Sequence, residues 1–412
     1  MDAAAWDRVS RRIASRADEV FRLQQELTRI PALAPENGGE GEFQKAERLK
    51  RLLDEIGFDA VEEIPAPDRR VPSGIRPNLI ALVNGKSDKK TVWILSHLDV
   101  VPPGDRSQWK HDPFDAVRED GTIIGRGTED NHQGIVSSLV AVEALRAEGL
   151  APEYTVGLVF VSDEETGSAY GLGHVLKQRP ERFRPLDWIL VPDAGDPEGT
   201  TIETAEKSIL WIRAEIQGRQ THGSTPEKGA NAHKAGARLI VRMDDLYRLH
   251  GQCDPLFDPP GSTFEPTKKE ANVPNINTIP GEDVFCFDCR VLPGVPLAGV
   301  QHQIRLWADE TERLFCVRIR IDYPQAVQAP PPTPPDAPVV LGLQRAVRDV
   351  LGRSAVPRGI GGGTVAAHFR EKGFHAVCWT CLDDTCHAAN EYSKIENTLN
   401  DARVFAHLFL QR

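Results

Sequence analysis

Thr91-Val92-Trp93-Ile94-Leu95-Ser96-His97-Leu98-Asp99 is the stretch that decides the fold. Its apolar run lacks polar alternation, so it reads as a strand buried on both faces, the kind found in α/β proteins. The run ends in a His and an Asp two residues apart. Side chains at i and i+2 of a strand point the same way. His97 and Asp99 are therefore expected on one face, where a carboxylate beside an imidazole fixes its tautomer and raises its basicity toward a metal.

The same grammar repeats downstream. In "DGTIIGRGTEDNHQGIVSSLVAVEAL", Asp130 follows a Gly-rich turn and precedes an apolar-periodic helix. "TVGLVFVSDEETGS" puts Glu164 and Glu165 just past a second apolar strand, and "LDWILVPDAG" puts Asp193 past a third. "AVCWTCLDDTCHAANEY" puts His387 in a loop after a fourth. Ligands of open α/β sheets collect outside the carboxyl ends of the strands. Two His, two Asp and one Glu converging there suit a pair of zinc-like ions. The other carboxylate of the Glu164–Glu165 pair is then free to act as a base.

With these motifs in view, the chain resembles the co-catalytic zinc aminoacylases and exopeptidases of peptidase family M20. These include succinyl-diaminopimelate desuccinylase, acetylornithine deacetylase and carboxypeptidase G. The resemblance covers almost the whole chain. It is closest to a branch labelled succinyl-diaminopimelate desuccinylase, through "SHLDVVPPGD", "GRGTEDN", "SDEETGS" and "NTIPGEDVFCFDCRVLPG". It implies that His97, Asp130 and Asp193 bind one ion and that Asp130, Glu165 and His387 bind the other, with Asp130 bridging. Asp99 would orient His97, Glu164 would be the general acid/base, and the Asp130–Asn131 peptide would be cis. The ions implied are zinc, with cobalt or manganese as alternatives.

Three further features match substrate-reading positions of that family. His222, in "QGRQTHGSTPEKGAN", corresponds to a His that stabilises the oxyanion across a dimer. Arg290 corresponds to a substrate-carboxylate reader with Asn277 nearby, a task suited to a planar guanidinium. Gly363 and Thr364, in "GIGGGTVAAHF", match a substrate-contacting loop. This loop also departs from the pattern, because Val365-Ala366-Ala367 replaces a segment that carries an Asp in well-established desuccinylases. That argues against a diaminopimelate substrate and leaves the metal ligands untouched. His132 stands where many relatives have Lys.

Composition bounds the alternatives. The 412 residues carry a formal net charge of −11, which disfavours a nucleic-acid or anionic-membrane partner. No apolar run approaches the ~20 residues of a membrane helix, and "MDAAAWDRVSRRIASRADEVFRLQQELTRI" reads as an amphipathic start helix of a cytoplasmic protein. Seven cysteines in such a chain are expected as free thiols. Cys286/Cys289 and Cys378/Cys381 lie in strand-like runs and read as small buried hydrophobes rather than redox pairs. No Gly-x-Ser-x-Gly elbow supports a serine hydrolase.

The expected architecture is a mixed-sheet α/β catalytic domain, residues 1–207 and 324–412, interrupted by an inserted α+β domain, 208–323. The insert reads as two helices on a four-stranded antiparallel sheet. Its strands are expected in "SILWIRAEIQG", "NVPNINTIPG", "EDVFCFDCRVLPG" and "CVRIRIDYP", and one helix from Thr225-Pro226 onward. "PQAVQAPPPTPPDAP" reads as a stiff return connector. The resemblance makes the insert a lid and the interface of a homodimer. The expected activity is two-metal hydrolysis of an N-acyl amino acid amide. A metallo-exopeptidase acting on a dipeptide is the alternative in the same class, and a metal-stabilised binding protein without catalysis is the alternative in another.

Overall fold

A computed structural model describes residues 2–412. Two compact units are present. The first comprises residues up to Thr204 with Thr333–Pro357 and Thr364–Arg412, and the second Ala205–Pro332 with Arg358–Gly363.

The first unit is organised by a mixed eight-stranded sheet. Ser87–His97 lies at its centre, parallel to Tyr154–Val161 on one side and to Trp188–Val191 on the other. Ala376–Cys378 adds a further parallel strand, while Leu79–Val83 and Ala60–Glu63 run antiparallel at one edge. The buried run of Ser87–His97 divides its side chains by parity. Val92 and Ile94 enter one apolar core, Trp93 and Leu95 the other. This is the reason for a hydrophobic run without alternation: both faces are covered.

The first core is closed by helices including Gln133–Ala147, Pro338–Leu351 and Ile395–Phe409. The second lies under the shorter helices Leu172–Gln178 and Ala366–Glu371. Trp93 fits because residue 157 is Gly: a Cβ there would lie 2.1 Å from the Trp93 ring. The indole N–H donates to Asp187 Oδ2 at 2.9 Å. The expected N-terminal helix is two, Ala3–Ala14 and Ala17–Thr28. Ser15 and Arg16 interrupt them, and the first is capped by the Asp2 side chain.

The second unit is a four-stranded antiparallel sheet in the order Thr263–Lys269, Glu282–Val291, Ser208–Gln217, Arg318–Val327. Helices Ala232–Met243 and Leu297–Phe315 share its apolar core. Three details differ from expectation. The fourth strand is Thr263–Lys269, not "NVPNINTIPG", whose Pro and Asn residues leave only Thr278–Ile279 as strand. The first helix starts at Ala232, capped by Asn231, because Ala230 instead bridges back to Arg219. The Pro-rich connector begins after Val327, since Arg318–Val327 stays paired with Ser208–Gln217.

No helix among the described residues is long and apolar enough to cross a membrane. All seven cysteines are free. Cys378 and Cys381 are buried, and burial raises both thiols, opposite to what a redox-active pair needs.

Candidate metal centre

Parallel strands of one sheet place their carboxyl ends along one edge, and that edge assembles the site. His97 ends Ser87–His97, Glu164 and Glu165 follow Val161, and Asp193 follows Val191. Asp130 comes from the tight turn Thr128–His132, which leads into Gln133–Ala147. The Asp130–Asn131 peptide is cis. Gly127, at φ 87°, lets this turn close on the segment after His97: a Cβ there would lie 2.6 Å from Val100 and 2.8 Å from His132.

Asp130 divides its carboxylate between two imidazoles. Oδ1 lies 2.7 Å from His97 Nε2, and Oδ2 lies 3.2 Å from His387 Nε2. His97 Nε2 is also 3.6 Å from Asp193 Oδ1, and His387 Nε2 is 3.2 Å from Glu165 Oε2. Ligand-type atoms of His97, Asp130 and Glu165 lie within 4.8 Å of one another, as do those of His97, Glu164 and Asp193. Six residues expected from sequence are therefore brought together: His97, Asp130, Glu164, Glu165, Asp193 and His387.

The electrostatics describe a place for positive charge. Burial alone would lower His97, but Asp130, Asp193 and Asp99 overcome it and hold its pKa well above the ordinary imidazole range. Hydrogen bonds to Asp130 and Glu165 push His387 up to about 10. Glu165 Oε1 is buried with no hydrogen-bond partner. A carboxylate oxygen without a donor, beside imidazoles drawn toward carboxylates, fits a pair of divalent cations of the zinc type. Glu164 differs from its neighbour. Burial, and then the charge of Asp193, raise its carboxyl well above the usual range, which suits a proton-transferring group.

Asp99 lies beside His97 and also braces a second segment. The strand ends at His97, so the i, i+2 rule does not extend to Asp99. His97 Nδ1 lies 3.0 Å from the Asp99 carbonyl oxygen but 3.6 Å from Asp99 Oδ1. The Asp99 carboxylate also accepts the backbone N–H groups of Glu164 and Glu165, at 3.1 and 3.0 Å. Asn131 was not singled out from sequence. It donates to Pro192 O and to Asp193 Oδ1 at 3.0 Å, tying the Asp130 turn to the Asp193 loop. His132 is buried, with Lys45 Nζ 2.8 Å from its Nε2 and Thr28 Oγ1 3.2 Å from its Nδ1.

The expected substrate-reading residues occupy the second unit, apart from Thr364. His222 is exposed on the short strand Thr221–His222, paired with Thr278–Ile279, with its Nδ1 2.7 Å from Ser224 Oγ. The Asn277 carbonyl accepts the Gly223 N–H at 2.6 Å, so Asn277 adjoins His222 through the backbone. Arg290 lies on Glu282–Val291. Asp288 receives its Nε and Nη2 at 2.8 and 3.1 Å, and Nη1 donates to Gly361 O at 2.7 Å. The guanidinium expected to be free for a carboxylate thus has a resident acidic partner, because alternate residues of a strand share a face. Space around the Gly363 Cα is open, and Thr364 Oγ1 accepts from Cys378 Sγ at 3.3 Å in the first unit.

The model of peptidase family M20/M25/M40 matches residues 93–411, and the chain belongs to that family. It is a metallohydrolase with mixed α/β architecture. An uncharacterized metallohydrolase of Methanococcus maripaludis is 40% identical over 407 residues, covering 94% of this chain and 98% of the relative. A succinyl-diaminopimelate desuccinylase of Alkalilimnicola ehrlichii is 28% identical, over 75% of this chain and 80% of that one. Among solved structures, aminopeptidase PepT of Bacillus cereus superposes with a TM-score of 0.75 at 20% identity, covering 95% and 98% of the two chains. The family assignment and the two groups of candidate ligands, which share His97, mark this sheet edge as the candidate metal centre of a metallohydrolase.

Proposed function

We propose that the protein is a two-zinc amidohydrolase that cleaves the amide of an N-acyl amino acid. The observation that carries this reading is Asp130, whose two oxygens face His97 and His387 at 2.7 and 3.2 Å, beside a half-buried Glu164. His97, Asp130 and Asp193 would hold one ion and Asp130, Glu165 and His387 the other. Bound divalent ions polarise a scissile carbonyl and make water acidic enough to react at neutral pH.

The chain's own residues do the rest. Glu164 takes the proton of the attacking water and delivers it to the leaving amine. Asp99 holds the Glu164–Glu165 backbone so that the two carboxylates keep separate tasks. His222 donates to the developing oxyanion, supplied by the second copy in a homodimer. Arg290, with Asn277, Gly363 and Thr364, reads the substrate beyond the amide. Free thiols throughout support a cytoplasmic setting.

The test is a panel of N-succinyl, N-acetyl and dipeptide substrates, assayed with chelated protein and with protein reloaded with zinc, cobalt or manganese. The expected result is hydrolysis of an N-acyl amino acid that chelation abolishes and zinc or cobalt restores. Turnover that survives complete chelation overturns the two-metal reading. Turnover of dipeptides alone moves the activity to an exopeptidase.

A further inference from the structure

Two buried glutamates outside the proposed ligand set join the loop of Asp130 to the loop of His387, each accepting backbone N–H groups from the other's loop. Glu391, four residues after His387, reaches the Asp130 turn. Its Oε1 accepts the N–H groups of Glu129 and Asp130 at 3.0 and 3.1 Å. Its Oε2 accepts Gly127 N–H at 3.0 Å and Arg126 Nη1 at 2.6 Å. Glu129, next to Asp130, reaches the other way. Its Oε1 accepts Asp383 N–H at 2.7 Å, and its Oε2 accepts the N–H of Thr385 and, at 2.8 Å, the Thr385 hydroxyl. Arg126 closes the circuit by donating Nη2 to the His387 carbonyl at 3.3 Å.

His387 needs such support. Its side chain is 55% exposed, so packing does not hold it. Its backbone lies at φ 61°, and Asp384 and Asn390 in the same loop are also at positive φ. The carboxylates that brace the loop are themselves buried, with Glu391 1% and Glu129 6% exposed. Every oxygen of both carboxylates receives at least one donor. A carboxamide at either position would turn an NH2 group onto an N–H.

We propose that Glu129 and Glu391 form a reciprocal clasp that sets the distance from Asp130 to His387 and with it the affinity of the ion shared by Asp130, Glu165 and His387. Both are positioning residues. The proposal rests on the ligand set given above and adds that the ion site containing His387 depends on the clasp more steeply than the site it shares Asp130 with. Groups that orient metal ligands without touching the metal typically contribute about 10–100-fold in affinity.

The experiment is calorimetric titration of chelator-stripped full-length protein with Co2+, for wild type, Glu129→Gln, Glu391→Gln, the double variant and His387→Ala. Thermal melting of each stripped protein is recorded in parallel. Wild type should take up two ions. Each Gln variant should weaken one binding step by roughly 10–100-fold and the other by clearly less. The more weakened step should be the one that His387→Ala abolishes. The double variant should lose less than the product of the two single losses, since releasing either half frees the loop. Where one Gln variant fails to fold, the other carries the same comparison. Unchanged affinities in a folded variant overturn the clasp. So do two steps weakened alike with a lowered melting temperature, because that marks a general loss of structure. Wild-type protein that takes up fewer than two ions overturns the ligand set itself, and that result is visible before any variant is compared.

Discussion

Asp99 accepts the backbone N–H of Glu164 through Oδ1 at 3.1 Å, so the candidate proton carrier is held by its main chain, leaving its carboxylate to the site. Glu165, held the same way through Oδ2, turns Oε2 toward His387. Adjacent residues on one brace thus face different partners. Glu164→Gln should keep its shape and lose its base: metal content persists while kcat falls by roughly 10²-fold or more. Glu165→Gln should lower metal content. Metal analysis and kcat on the same samples separate the two, and equal metal loss in both would reverse the assignment.

Arg290 carries its own acidic partner, Asp288, across the same strand face. A substrate carboxylate would have to share or displace it. Converting the α-carboxylate of a hydrolysed N-acyl amino acid to a methyl amide should lower kcat/KM. Arg290→Lys should lower it as well, because a point charge cannot serve two carboxylates with planar geometry. Asp288→Asn should strengthen binding of the free acid by removing the competitor. A kcat/KM ratio near one between acid and amide would remove the carboxylate anchor.

His222 sits exposed on its short strand, with its ring beside Ser224 Oγ. If a partner copy uses it, His222→Ala and Glu164→Gln homodimers should each be nearly inactive, and mixing them should restore activity as one intact site forms per exchanged dimer. Removing one preorganised donor typically costs about 10²–10³-fold in rate. Absence of rescue after exchange has been shown by mass analysis would place His222 outside the reaction.

His407 is buried between the Trp6 ring, at 5.0 Å, and Gln411 Nε2, 3.0 Å from its Nδ1. Burial lowers its pKa to about 4, against 6.5 for a free imidazole. Between those values the unfolded chain binds the proton and the folded chain does not, so stability falls as pH drops from about 6.5 toward 4 and this contribution is flat above that window. Urea denaturation at pH 7 and pH 5 should show a smaller loss for His407→Gln than for wild type. An equal loss in both would assign the pH dependence elsewhere.

Some of this was legible in the chain because it is local. An apolar run covered on both faces reads as a central strand, and a His, Glu or Asp just past such a run falls at a carboxyl end. That is why His97, Glu164, Glu165 and Asp193 could be placed from their neighbours alone. The short fourth strand, Thr263–Lys269, could not, because five of its seven residues are exposed and carry no burial pattern.

The roles of Asp99, Glu129, Asn131 and Glu391 belong to the same second category. Each bonds to backbone or carbonyl groups brought near by folding, over separations from 61 residues, Asn131 to Pro192, to 264 residues, Gly127 to Glu391. A carboxylate that accepts backbone N–H groups leaves no spacing rule behind, since any residue except proline supplies the donor. Sequence by itself therefore determined which chemistry the chain carries and at which strand ends. Tertiary structure alone decided how those groups are aimed, because aim depends on hydrogen bonds between segments that are distant in the chain.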